Sequence, residues 1–540
     1  IAQCLVGSEM CIRDRYKFMR IAIPQLNYHT GDIQKNQEIM LQAIRKARSE
    51  KADLIVFPEL AVCGPMAGDW LEREDFIDAC RMAVDRLAEA CGPMAAIIGA
   101  PNLDISNGIM YNSAYFIQNG EVCDGVHKTI LSDYDIFNES RYFVAGEDNS
   151  SIRFRNQNIR ILFDEYETEF IEKQDSLVIF VGTAPFTTDS LNYRKTILES
   201  ISRKYGKPIV SLNYTGGATS VLFDGNSMVY TPKGTSVCQM RSFTEDFQTI
   251  DLTKLNSLPP IKNKPDTPIA LIHNALVNGI RDYFYKHGFT RAVLGLSGGI
   301  DSAVVAALAA EALGKDKVMG LLMPSVYSTD HSVTDAIELA ENIGMPYETL
   351  PIKEIYNGYL QSLKPLFKDL PFNVAEENLQ ARIRGTLVMA ASNKFGSILL
   401  NTSNKSEAAV GYGTLYGDMC GSLSVIGDLY KTEVYKLAVY LNREKTIIPE
   451  NTIRKAPSAE LRPDQKDQDS LPPYDILDTI LKLYVEENRS AREIKAQGYN
   501  PETVDHIIQL VTRNEYKRAQ CPPILKISKK AFGSGRRMPF

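Results

Sequence analysis

Apolar residues recur along the chain in two rhythms, and the rhythms alternate. RIAIPQL (20–26) is a short apolar run, and DIQKNQEIMLQAIRKARSEKA (32–52) follows with Ile33, Ile39, Leu41, Ile44 and Ala47 at helical spacing. DLIVFPEL (53–60) is continuously apolar up to Pro58-Glu59. Such a run predicts a strand covered on both faces. MAAIIGAP (94–101), YNSAYFIQNGEV (111–122), NIRILF (158–163), SLVIFVG (176–182) and PIVSLNY (208–214) repeat the theme. Alternating strands and helices predict a layered α/β domain.

The pattern breaks at NSLPPIKNKPDTP (256–268), which holds four prolines and little apolar content and so reads as a linker. Thr267-Pro268 is an N-cap followed by proline at the first helical position. A helix is expected from there, with Ile269, Ile272, Leu276 and Ile280 on one stripe and Gly288 as its stop. A second alternating segment begins at RAVLGL (291–296). The expected division is one domain over 19–255, the linker 256–268, and a second domain over 269–540. Residues 1–18 fit neither rhythm and read as a spurious extension, with Met19 as the expected start.

Composition narrows the classes. With 540 residues, 44% hydrophobic and 23% charged, the chain has an ordinary globular balance and enough length for two cores. A net charge of -6 argues against a general nucleic-acid binder. No apolar run is long enough to span a membrane. The nine cysteines are irregularly spaced without a CxxC, as expected of reduced thiols in a cytoplasmic protein.

The strongest chemistry lies in RAVLGLSGGIDSAVVAALAAEALG (291–314). A strand ends in Gly295, Leu296, Ser297, Gly298, Gly299, Ile300, Asp301 and Ser302, and a helix from about Ser302 to Leu313 follows. Glycines let the backbone approach an anion, and free amides at the helix start point toward it. Asp301 would repel phosphate, which calls for Mg²⁺ between them. The stretch is not a Walker A loop, since GxxxxGK[ST] is absent.

SGGIDS resembles the PP-loop of ATP pyrophosphatases, which cleave between the α- and β-phosphates. Downstream, MPSVYSTDHSVTDAIELAENIG (323–344), EENLQARIRG (376–385), NTSNKSEAAVGYGTLYGDMCG (401–421), GDLYKTEVYKLA (427–438), APSAELRPDQKDQDSLPPY (456–474) and EYKRAQCPPILKISKKAFGSGRRMP (515–539) all resemble NAD synthetases, in order. The resemblance implies a doubly wound parallel sheet. It implies that ATP adenylates the carboxylate of deamido-NAD, and that ammonia then displaces AMP. Residues 295–302, Thr402 and Lys431 match ATP contacts. Asp301 and Glu407 match magnesium ligands, and Asn378, Glu407 and Lys517 match contacts to deamido-NAD. Arg382, Arg384 and Asp418 are expected nearby. The family also implies a homo-oligomer.

Residues 19 to about 255 resemble the nitrilase-type glutaminase domain fused to many NAD synthetases, an αββα sandwich with a Glu-Lys-Cys triad. Glu59 in FPEL and Lys128 in HKTILSDYDIFNESRYF match two members, with Tyr134 where glutamine would be contacted. The third belongs in a C-E-D triplet after a strand, and here the triplet is Asp164-Glu165-Tyr166. No cysteine lies between Cys123 and Cys238, so no small shift of register supplies one. Ala184, Ser190, Ala218, Thr219 and Ser220 also depart from the family's pattern. A carboxylate is a poor nucleophile toward an amide, and pairing of Asp164 with Lys128 in an emptied site is the expected arrangement. The expectation is therefore an NAD synthetase that uses free ammonia, or ammonia from a separate partner. The alternative is a fully glutamine-dependent enzyme with an unconventional amidase.

Overall fold

The computed structural model describes residues 19–262, 266–463 and 465–539. The expected extension 1–18 and part of the expected linker, 263–265, lie outside the described residues. The chain divides into two compact units, one formed by residues up to 218 with 222–265, the other by 266–540 with 219–221.

The first unit is built from two six-stranded sheets. One runs in the order Asp246–Asp251, Arg20–Gln25, Leu54–Val56, Ala95–Asp104, Ile109–Gln118, Glu121–His127. The other runs Ser236–Gln239, Met228–Tyr230, Ile209–Ser211, Leu177–Phe180, Gln157–Leu162, Ile152–Phe154. Both are mixed, with parallel pairs at the centre and antiparallel pairs outside. One core joins them: Ile21, Ile23, Val56 and Ile97 from the first sheet meet Ile159, Ile161, Ile179 and Val210 from the second. Each such side chain contributes about 1.5–3 kcal/mol on burial.

Helices Ile33–Ser49 and Glu74–Cys91 lie on the first sheet's side, and Ser190–Tyr205 covers the second through Leu198 and Ile201. This is the αββα sandwich. The inward face of Ile33–Ser49 is rotated from the expected stripe, for it buries Asn36, Met40, Ala43, Ile44 and Ala47, while Ile33, Ile39 and Leu41 are half-buried. Asn36 turns inward because its amide donates to the carbonyls of His29 (2.8 Å) and Val62 (3.1 Å).

The second unit holds a five-stranded, wholly parallel sheet in the order Tyr347–Thr349, Val318–Leu322, Ala292–Gly295, Ile398–Asn401, Leu423–Ser424. Helix Pro268–His287 opens with Thr267 as its N-cap and closes at Gly288 (φ 73°). Helix Ile300–Leu313 is buried almost all round, as its alanine- and valine-rich sequence requires. It begins two residues before the expected start, so Asp301 sits in its first turn. A helical cluster around Leu477, Ile480, Val504, Ile507 and Val511 packs behind Ala409 and Val410.

Candidate functional sites

The strand order of the second unit reverses between Ala292–Gly295 and Ile398–Asn401, and ligands of open α/β sheets bind beyond the strand ends at such a point. A cleft of about 810 Å³ opens there, with Gly295, Ser297, Asp301, Thr402, Glu407 and Lys431 in its wall. Gly298 turns the loop at φ 76°, and a Cβ there would run into the carbonyl oxygen of Ser332. The position therefore admits glycine alone. Ser297 and Ser302 brace the loop, with their hydroxyls 3.2 Å apart and Gly299 N–H donating to Ser297 Oγ at 3.2 Å.

Three ionisable groups meet in the cleft. Lys431 Nζ lies 2.5 Å from Asp301 Oδ2 and 3.2 Å from Glu407 Oε1. Asn404, N-cap of the short helix Lys405–Val410, donates its Nδ2 to Asp301 Oδ1 at 2.9 Å and accepts from Glu407 N. Burial opposes the charge of Lys431, but Asp301 and Glu407 outweigh it and hold its pKa above the ordinary value. Burial pushes the Glu407 carboxyl up to about 8, against the pull of Lys431 and with the repulsion of Asp301 and Asp467. Two carboxylates converging on one cation, at the start of helix Ile300–Leu313, form an oxygen donor set that suits Mg²⁺ completed by phosphate oxygens.

Arg384 and Asp418 also line the cleft. Burial pushes the Arg384 guanidinium down to about 10, against Glu460 and Asp418. Arg382 does not line it, and its Nε donates to Leu415 O at 3.2 Å. Asn378 and Lys517 stand outside the wall too. Asn378 Oδ1 accepts the Thr414 hydroxyl at 2.8 Å, and Lys517 Nζ donates to Gly411 O and Gly413 O, each at 2.8 Å. Both thus brace the segment whose Tyr412 and Asp418 face the cleft.

In the first unit, Glu59, Lys128 and Asp164 each follow the end of a strand. Lys128 Nζ pairs with Glu59 (3.1 Å) and Glu139 (2.8 Å), and all three groups are largely buried. Glu59 also accepts from Asn112 Nδ2 (3.0 Å) and from Thr183 N (2.8 Å). Burial opposes the charge of Lys128, but Glu59 and Glu139 keep its pKa raised. Glu139 is itself raised, by burial first.

Asp164 is not one of Lys128's hydrogen-bond partners, which corrects the expected Asp164–Lys128 pair. The lysine is already held by Glu59, Glu139 and Ser132. The Asp164 side chain instead caps the 3₁₀ turn Glu165–Phe170, accepting from Tyr166 N at 3.0 Å. Burial raises its pKa, with Glu165 and Glu59 adding to the shift and Tyr166 N–H and Lys128 opposing it.

Two residues escaped the sequence reading. Glu139 sits inside the quoted Lys128 segment but has no motif of its own. Glu167 is wholly buried and ties the two loops together, its Oε1 accepting from Thr129 N (2.9 Å) and its Oε2 from Phe163 N (2.6 Å). Its signal is the spacing Asp164-x-x-Glu167, a capping box.

Comparison with known proteins matches both units. Residues 272–521 match the family described as NAD synthase, and residues 20–258 match carbon-nitrogen hydrolase. The glutamine-dependent NAD(+) synthetase of Synechocystis sp. is 42% identical over 96% of this chain and 98% of its own length. That of Acinetobacter baylyi is 40% identical over 97% and 98%. The solved glutamine-dependent NAD+ synthetase of Acinetobacter baumannii, in complex with ADP, superposes with a TM-score of 0.77 at 36% identity, covering 96% of this chain and 98% of that one.

Proposed function

Since this chain belongs to the family of glutamine-dependent NAD synthetases, we propose that it amidates deamido-NAD at the expense of ATP, and that it takes the nitrogen from ammonia because its own amidase site is silent. The observation that carries the second half is Asp164. Glu59 and Lys128 are assembled as a base and a cation, but the group beside them is a carboxylate held as a helix cap.

A nicotinate carboxylate resists attack until it carries a leaving group. Residues 295–302 and Thr402 would cradle ATP, with backbone amides toward the phosphates. Asp301 and Glu407 would hold Mg²⁺, whose charge would offset that of the phosphates. Lys431 would stabilise charge building on the α-phosphate. Carboxylate oxygen attacks the α-phosphorus and pyrophosphate leaves; ammonia then attacks the acyl carbon and AMP leaves. Glu407, Asn378 and Lys517 are the proposed contacts to deamido-NAD, the last two reached through the 411–414 segment they brace. A cytoplasmic homo-oligomer, fed by free ammonia or by a separate ammonia-producing partner, is the proposed setting.

The test is direct. Protein supplied with deamido-NAD, ATP and Mg²⁺ is expected to form NAD, AMP and pyrophosphate with ammonium, and no NAD with glutamine. Equal rates with the two nitrogen sources would defeat the silent-amidase reading. ADP and orthophosphate as products would defeat the adenylation reading.

A further inference from the structure

Asp335 is a buried carboxylate in the second turn of helix Asp330–Ile343. Its Oδ2 accepts from Asn451 Nδ2 at 2.7 Å and from Lys455 Nζ at 3.0 Å. Both donors belong to the short helix Glu450–Arg454 and its C-cap Lys455. They lie four residues apart and so share a face. Thr452, between them, is buried, and its hydroxyl donates to Gly298 O at 3.4 Å. The Ser332 carbonyl abuts the same glycine turn. Ser332 and Asp335 thus clasp residues 451–455 against the loop that handles phosphate.

Lys455 lines the cleft and is 19% exposed. An ammonium has three N–H donors. Two are placed, on Asp335 Oδ2 and on Ser332 Oγ at 3.2 Å, and the third is left for the cleft. The Ser332 oxygen can accept from the lysine because the hydroxyl donates its own hydrogen to Glu460 Oε1 at 2.6 Å. The other cations of the wall are differently placed. Lys431 is held by Asp301 and Glu407, and Arg384 Nε donates to Met323 O at 3.0 Å. Arg462 faces Asp469 and Glu377, and Lys466 is exposed. Lys455 is therefore the cation fixed beside the 297–299 turn.

We propose that Asp335 is a positioning residue for the departure of pyrophosphate: it holds Lys455 at the 297–299 turn, where the lysine's remaining N–H receives the β- and γ-phosphates. The inference rests on the reading that ATP is cleaved between its α- and β-phosphates. In that step the substrate carboxylate bonds the α-phosphorus, and the bridging oxygen leaves on pyrophosphate with the electrons of its bond. Lys455 keeps its proton throughout. A lysine stem is long and flexible, and a cation already fixed where charge develops needs no rearrangement as the bond breaks.

Inorganic pyrophosphate with Mg²⁺ is the probe, used as a product inhibitor of NAD formation by the full chain. In Asp335→Asn its inhibition constant is expected to rise about tenfold or more, and the KM for ATP with it. The inhibition constant of AMP and the KM for deamido-NAD should stay within about twofold. An unchanged pyrophosphate constant overturns the proposal, and so does a parallel rise of all four, which a merely structural role would produce. Lys455→Met is expected to weaken pyrophosphate equally, and the double variant no further, since residues that act through one contact are not additive. Additive losses overturn the positioning role. Should Asp335→Asn fail to fold, Lys455→Met alone decides the seat: a tenfold rise for pyrophosphate with AMP unaffected upholds it, and no rise overturns it. Should the wild type release ADP and orthophosphate, the adenylation reading falls. Equilibrium dialysis of labelled pyrophosphate then decides the seat, weaker binding by the variants upholding it and equal binding overturning it.

Discussion

Buried Lys431 and half-buried Asp301 form an ion pair at 2.5 Å. The lysine is the first residue of helix Lys431–Leu441, where the helix dipole disfavours a cation. Its place there makes sense only through what it faces, namely Asp301 and Glu407. Lys431→Met should therefore leave two half-buried carboxyl groups without their shared cation. Adenylation is expected to fall about 10²- to 10³-fold, read as pyrophosphate release with deamido-NAD and ATP. A change of less than a few fold would show that the ammonium does not act on the reacting phosphate.

The loop before Asp301 should be equally intolerant at Gly298. Alanine there would keep a left-handed backbone at φ 76° and press its Cβ on the Ser332 carbonyl. Strain of about 1–3 kcal/mol is expected. Gly298→Ala should lose most ATP affinity in isothermal titration while the far-UV spectrum stays that of the wild type. Unaltered affinity would mean that the turn relaxes without cost.

The two sites differed in how much of them the sequence disclosed. SGGIDS could be read because one short stretch supplies strand end, turn and helix start together. Thr402, Glu407 and Lys431 came from the resemblance of NTSNKSE and GDLYKTEVYKLA to NAD synthetases, and all three line the cleft at the switch point. What escaped depends on packing between distant segments. Glu139 reaches Lys128 across eleven positions, and no periodicity marks it. Glu167 joins loops from different strands. The inward face of Ile33–Ser49 was misjudged because polar Asn36 is buried for its hydrogen bonds, which hydropathy cannot weigh.

Lys405 makes a third prediction. It is wholly buried and ion-paired to Asp428 (2.8 Å) and Glu486 (2.7 Å), with Ser528 Oγ at 2.8 Å. It opens the helix that carries Glu407. Lys405→Met leaves two buried carboxylates without a cation, which costs about 3–5 kcal/mol. Thermal unfolding of the second unit should shift down by several degrees. A melting temperature equal to the wild type's would mean the carboxylates find other partners.

Asp164 should give stability a pH signature. Burial raises its pKa above that of the unfolded chain, so folding favours the protonated form. The sign follows: the group costs nothing at pH values below its unfolded pKa, and the cost grows as pH rises from there through the folded pKa. Asp164→Asn keeps a capping side chain for Tyr166 N–H and removes the charge. The variant's melting temperature should exceed the wild type's at pH 8 and converge with it toward pH 3. A constant difference across that range would assign the effect to packing and not to ionisation.

On the silent-amidase reading proposed above, placing a sulfur at residue 164 is expected not to give amidase activity. Asp164→Cys would set a thiol beside Glu59 and Lys128, and a low-pKa thiolate is what amide attack requires. Lys128 Nζ is held by Glu59, Glu139 and Ser132. Ala184 N–H is engaged by Asn213 Oδ1 at 3.0 Å, and the Ser190 hydroxyl turns back on Thr187 O at 2.9 Å. Ala218 stands where the family resemblance expects a polar residue. Nothing in that set offers the charges that would hold a glutamine's ammonium and carboxylate. The variant thiol should react with iodoacetamide, yet glutamine hydrolysis should stay at background and no glutamyl thioester should be trapped on residue 164. Appearance of that thioester would show that glutamine binds and that residue 164 alone decides the site's activity.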